Sequence, residues 1–238
     1  MPTSMPTPMP ASDTLPPIVV FDLDGTLAET AGDLIGTLNV ILEREGLPPV
    51  ALSQARELIG AGARALIQRG FAAGGRELTP GRLDELFLVF LAHYGQHLCD
   101  VSHLFPGVVE SLDRLEAAGY RLAVCTNKPE DHSVRLLELL GVKDRFAAIC
   151  GRDTFPYFKP DPRHLTETIA RAGGDPGRAV MIGDSRTDVA TAKAAGIPVV
   201  AVPFGYTDVP VEELEPDVVI PHFDGLYDAV RRLDRGAA

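Results

Sequence analysis

The chain has 238 residues, 45% of them hydrophobic and 23% charged, and carries a formal net charge of −11 at pH 7. That length suits one large domain, or a core with a smaller companion, and no apolar run approaches the ~20 residues a membrane helix needs. The acidic balance argues against non-specific nucleic-acid binding, which requires a basic surface, and it repels anionic substrates unless positive charge is gathered locally.

Residues 1–16, "MPTSMPTPMPASDTLP", are rich in Pro, Ser and Thr, with no basic residue and no apolar h-region. They read as a disordered tail, neither a signal nor a transit peptide. Ile18 to Leu23 form a first strand that ends with two carboxylates one residue apart, Asp22 and Asp24, before a turn at Gly25. From Glu29 to Asp100 no convincing strand appears. Residues 30–45, 53–59 and 62–72 are helical in pattern. Leu83, Leu86, Phe87, Phe90, Leu91 and Tyr94 make a helical stripe behind Thr79 and Pro80, which suit an N-cap and first helical position. This stretch, 29–100, reads as an all-helical insertion.

Beyond it, short apolar strands are expected at Tyr120–Cys125, Phe146–Cys150, Ala179–Ile182, Pro198–Val202 and Asp217–Ile220, separated by helices near 107–118, 130–140, 161–173, 185–195 and 224–233. Such alternation indicates an α/β fold with a parallel sheet covered on both faces, built from residues 17–28 and 101–238. Cys99, Cys125 and Cys150 have no metal-type spacing, and an odd number makes a poor disulfide framework, so a reducing cytoplasm is the simplest setting. His93, His97, Cys99 and His103 offer zinc-type ligands, but no glutamate follows His93 as in H-E-x-x-H, and they read as surface and helix-end residues.

Ligands of open parallel sheets bind at the carboxyl ends of the strands. Those ends carry Asp22 and Asp24, then Thr126 and Asn127 in "AVCTNKP", then Asp184 in "VMIGDSRTD", with Asp188 one helical turn later. Lys159 in "FKPDP" stands just ahead of a helix start. Carboxylates converging on one crevice cannot all stay ionised without a counter-charge. An oxygen-only set suits Mg²⁺, which takes one or two protein carboxylates and leaves room for a substrate phosphate. One aspartate can then bind metal while the other handles a proton, and Thr126, Asn127 and Lys159 are donors suited to phosphate oxygens.

"DLDGTL", "TNKP", "KPDP" and "GDSRTDVATAKAAG" resemble the four motifs of the haloacid dehalogenase superfamily of phosphatases, a likeness running from about residue 18 to 222. The resemblance implies a Rossmann-like core with an inserted helical cap. It implies that Asp22 is the nucleophile of an aspartyl-phosphate intermediate and that Asp24 is the acid, then the base. Mg²⁺ would be held by Asp22, the Asp24 backbone carbonyl and Asp184, supported by Asp188, while Thr126, Asn127 and Lys159 hold the phosphoryl group. The dehalogenase branch lacks the second aspartate, so Asp24 favours a phosphatase. The cap stretch "ELIGAGARALIQRGF" and the ending "AVPFGYTD" are most similar to the branch that hydrolyses 2-phosphoglycolate, with Gly60 and Gly62 for close backbone approach and Arg64 to read a carboxylate. Another small phosphorylated metabolite or a pyrophosphate remains an alternative substrate, and a non-catalytic binding protein is a distant one. A monomer or homodimer without nucleic-acid or membrane partners is expected. Ala28-Glu29-Thr30, where Val-Asp-Ser is frequent, and Phe155 to Phe158 depart from the common pattern.

Overall fold

In the computed structural model, which describes residues 15–59, 62–234 and 236, the chain begins with β1 (Ile18–Phe21) and β2 (Ala28–Glu29). Four helices follow: α1 (Ala31–Arg44), α2 (Leu52–Ile59), α3 (Ala63–Ala73) and α4 (Pro80–Tyr94). The chain then runs through β3 (His103–Leu104), α5 (Val108–Ala117), β4 (Arg121–Cys125), α6 (Glu130–Leu139), β5 (Ala148–Cys150) and α7 (Pro162–Ala172). It ends with β6 (Ala179–Gly183), α8 (Arg186–Ala195), β7 (Val199–Ala201), β8 (Val218–Val219) and α9 (Leu226–Leu233).

Six strands form one parallel sheet in the order β5-β4-β1-β6-β7-β8. Side chains alternate across a strand, and β1 shows both consequences. Val19 and Phe21 join Leu112, Leu115, Leu136 and Val230 on one face. Ile18 and Val20 join Leu165, Ile169 and Val189 on the other. Both faces are therefore covered by helices, which is why these strands are continuously apolar.

The first strand stops at Phe21, two residues before the expected Leu23. The Leu23 carbonyl accepts from the Thr26, Leu27 and Ala28 amides, closing a tight loop instead of extending the ladder. A second difference is a ribbon of two residues per strand, in which β2 pairs antiparallel with β3, Ala28 opposite Leu104 and Glu29 opposite His103. Two residues are too few to print an alternating pattern on a sequence. Of the expected tail, residues 1–14 lie outside the described residues, and the Pro16 carbonyl accepts from the Asp175 amide at 2.9 Å.

Helices α1 to α4 have their own apolar centre, in which Leu38, Ile67, Phe71 and Phe90 are almost completely buried. Burying each such side chain contributes roughly 1.5–3 kcal/mol. Thr79 caps α4 by accepting from the Arg82 amide, with Pro80 at the first helical position. Tyr206, from the segment after β7, also packs into this centre, and its hydroxyl accepts from the Thr30 and Ala31 amides at 2.6 and 2.8 Å. One phenol thus fastens the start of α1 to the sheet. Among the described residues no helix is long and apolar enough to cross a membrane.

Candidate active site

The strand order reverses at β1, which lies between β4 and β6. Phe21 is opposite Val124 on one side and Ile182 on the other, so the three strands end almost level. Asp22, Thr126 and Asp184 leave from those tips, around the crevice where such sheets bind ligands. The turn after Asp24 requires glycine: Gly25 has φ +85°, and a Cβ there would come within 2.6 Å of the Asp184 carboxylate.

Asp22, Asp184 and Asp188 are buried, and one oxygen from each lies within 4.8 Å of the others. The Lys159 ammonium sits 2.8 Å from Asp22 Oδ1 and 2.5 Å from Asp188 Oδ1. Despite that ion pair, Asp22 Oδ1 makes no well-aligned hydrogen bond among the described residues. Burial, opposed by the Lys159 charge and reinforced by that of Asp188, raises the Asp22 carboxyl to about 6. Burial, followed by the charges of Asp188 and Asp22, also holds Asp184 well above the usual carboxylate range. For Lys159 burial acts downward, but the Asp188 and Asp22 charges outweigh it and hold the ammonium above its ordinary value.

One ammonium among three buried carboxylates leaves negative charge uncompensated. An all-oxygen set of this kind fits a hard divalent cation. Asp184 is positioned for it by Thr26 Oγ1, which donates to Oδ1 at 2.6 Å, and by the Tyr206 amide, which donates to Oδ2 at 2.6 Å. Asp188 is more heavily committed. Its Oδ1 faces Lys159, and its Oδ2 accepts from the Ser185 hydroxyl at 2.6 Å and the Ser185 amide at 3.0 Å in the capping box of α8. These bonds suit it to orienting Lys159 and the Asp184 turn.

Asp24 stands apart from the cluster. Its carboxylate accepts from the Lys128 ammonium at 2.9 and 3.3 Å. Lys128 also donates to the Tyr94 hydroxyl at 2.6 Å, linking β4 to the last residue of α4. Thr126 is buried beside Asp22, and its Oγ1 accepts from the Lys128 amide at 3.3 Å. Asn127 donates from Nδ2 to the Lys159 carbonyl at 3.0 Å, while its buried Oδ1 has no hydrogen-bond partner among the described residues.

These groups open into a cleft of about 320 Å³ between the sheet and the helical insertion. Gly62 lines it as the N-cap of α3, with φ +83° and open space where a Cβ would stand. Arg64 lines it too, with its guanidinium 2.5 Å from Asp84 and 4.4 Å above the Phe87 ring. Gly60 lies outside the described residues. The histidines read as surface residues keep local partners: His97 contacts Asp100 at 2.6 Å and His93 contacts Thr37 at 3.2 Å. Among the described residues, the aspartate trio is the one cluster suited to a metal.

Sequence reasoning overlooked Lys128, Tyr94, Thr26 and Tyr206. Lys128 stands inside the quoted run "TNKP", but a lysine just after a strand ordinarily reads as solvated. Tyr94 was read as part of a core stripe, and nothing local distinguishes a core tyrosine from one whose hydroxyl reaches another layer.

A parallel sheet whose central strand ends in Asp22 and Asp24 gathers these carboxylates with Thr126, Lys159 and Asp184 around one cleft, a set suited to a hydrolase that acts on anionic groups. Residues 19–202 match the family model for haloacid dehalogenase-like hydrolases, and the chain belongs to that family. It is 54% identical over 222 residues to the phosphoglycolate phosphatase of Mesorhizobium japonicum, covering 93% of this chain and 98% of the relative. It is 47% identical over 229 residues to the phosphoglycolate phosphatase of Agrobacterium fabrum, covering 95% and 98%. The solved structure of a predicted phosphoglycolate phosphatase from Haemophilus somnus is similar with a TM-score of 0.83 at 32% identity, covering 92% of this chain and 99% of that one.

Proposed function

We propose that this protein hydrolyses 2-phosphoglycolate to glycolate and phosphate through an aspartyl-phosphate on Asp22, with Mg²⁺ as its metal. The carrying observation is the buried pairing of Asp22 with Lys159 at the tip of the central strand, within 4.8 Å of oxygens from Asp184 and Asp188. The substrate rests on the likeness to the Mesorhizobium japonicum and Agrobacterium fabrum phosphatases.

An Asp22 oxygen attacks phosphorus as the ester P–O bond breaks, and Asp24, protonated in the substrate complex, gives its proton to the departing glycolate oxygen. Asp24, now a carboxylate, takes a proton from water; the water oxygen attacks phosphorus, the Asp22–phosphorus bond breaks and phosphate leaves. Lys159, Thr126 and Asn127 hold the equatorial oxygens, and the helix start at Ser185 adds its dipole. Mg²⁺, held by Asp22, the Asp24 carbonyl and Asp184, would neutralise charge on the phosphoryl oxygens. Asp188 keeps Lys159 in place. Residues 29–100 act as a cap that excludes water and carries part of the specificity, while 17–28 and 101–238 supply the chemistry. The three free thiols suit a reducing cytoplasm.

The test is a panel of small phosphorylated metabolites, with pyrophosphate included, assayed with Mg²⁺. The reading predicts the highest kcat/KM for 2-phosphoglycolate, and a higher value for any other member replaces that substrate.

A further inference from the structure

Four cationic side chains other than histidine line the cleft: Arg64, Lys128, Arg152 and Lys159. Three are already engaged. Lys159 holds Asp22 and Asp188, Lys128 holds Asp24, and Arg64 holds Asp84. Arg152 has no carboxylate partner among the described residues, although it is half-buried in a protein with 33 acidic residues. An arginine in that position normally finds an acid.

Its placement is fixed from two directions. The Arg152 amide donates to the Lys128 carbonyl at 3.0 Å, which ties its backbone to the loop carrying Thr126 and Asn127. The guanidinium carbon lies 3.5 Å from the centroid of the Phe158 ring, one residue before Lys159. Stacking occupies the flat face of a guanidinium and leaves the N–H groups at its edge free to donate, the geometry that meets a carboxylate with two parallel bonds. We propose that Arg152, stacked on Phe158, is the specificity-determining residue that binds the carboxylate of the substrate.

This inference rests on the 2-phosphoglycolate reading and assigns to Arg152 the role the sequence suggested for Arg64. Burial, and after it the charge of Arg64, holds Arg152 below the usual guanidinium range.

The experiment compares kcat/KM for 2-phosphoglycolate with that for ethyl phosphate, which keeps the phosphate and two carbons but lacks the carboxylate. The proteins are wild type, Arg152→Ala, Arg152→Lys and Arg64→Ala, each in saturating Mg²⁺. Wild type should prefer 2-phosphoglycolate. Arg152→Ala should reduce that preference about 10–100-fold, the loss expected for a charge-assisted pair, mainly through KM. Arg152→Lys, which keeps the charge and backbone contact but not the fork, should recover only part of it. An unchanged preference in Arg152→Ala, full preference in Arg152→Lys, or a larger loss in Arg64→Ala overturns the assignment to Arg152. A wild type that does not distinguish the two substrates overturns the 2-phosphoglycolate reading itself, and this assignment with it.

Discussion

Lys128 donates to the Asp24 carboxylate at 2.9 Å and simultaneously to the Tyr94 hydroxyl at 2.6 Å. The same ammonium lies 4.4 Å from the centre of the Tyr94 ring. Tyr94 ends the last of the four helices after β2 and Asp24 follows the central strand, so one buried lysine bridges the helices and the sheet at the cleft. In a double-mutant cycle of Lys128→Met and Tyr94→Phe, urea unfolding should show a coupling energy of about 0.5–1.5 kcal/mol. Additive losses would mean that the contact contributes nothing to stability.

Removal of metal should be visible without any turnover. Lys159 pairs with two of the three buried carboxylates, Asp22 and Asp188, so Mg²⁺ should stabilise the folded protein by about 2.7 kcal/mol at a hundred times its dissociation constant. Thermal unfolding with increasing Mg²⁺ checks this, and Asp184→Asn should lose most of the upward shift. EDTA should abolish hydrolysis and Mg²⁺ restore it. Activity that survives excess chelator is incompatible with the metal site.

The loop that carries Lys159 should respond to acid through His164. That ring is buried, and its Nδ1 accepts from the Lys159 amide at 3.2 Å, which requires an unprotonated Nδ1. Burial first, and the Lys159 charge second, lower its pKa from the usual 6.5 to about 4. Between those values the unfolded chain binds a proton that the folded chain refuses. This group's contribution to stability is therefore present above pH 6.5 and falls as the pH drops towards 4, by at most ~1.4 kcal/mol per pH unit. His164→Asn keeps an acceptor without titrating, so the difference in stability between wild type and variant should slope across that window and flatten outside it. A difference that does not vary with pH would contradict the shift.

What the sequence disclosed, and what it withheld, follows from the range of each interaction. β1, β4 and β6 were legible because strands covered on both faces are continuously apolar, and Asp22, Asp24 and Asp184 stand out as charges directly after them. The helices of the insertion were legible from periodicity and from the Thr79-Pro80 start. Lys128 meeting Tyr94 was not legible, because 34 residues separate them and each has an ordinary local explanation. Tyr206 was hidden for the same reason, since its partners Thr30 and Ala31 are 176 and 175 residues away. Arg152 was hidden because what distinguishes it, a half-buried guanidinium with no carboxylate partner among the described residues, exists only once the chain is packed.

The most direct test of the central claim, covalent catalysis by Asp22 with Asp24 moving the protons, is rapid acid quenching followed by peptide mass spectrometry. Asp24→Asn should be mixed with p-nitrophenyl phosphate in saturating Mg²⁺. This leaving group needs little protonation, so the first step proceeds, while the second step lacks its base and should slow by about 10²–10⁴-fold. A phosphoryl group should accumulate on the peptide containing residue 22 and be absent when Asp22→Asn is added to the same variant. A phosphoryl group on any other residue, or release of nitrophenol with no phosphorylated protein, would contradict the account.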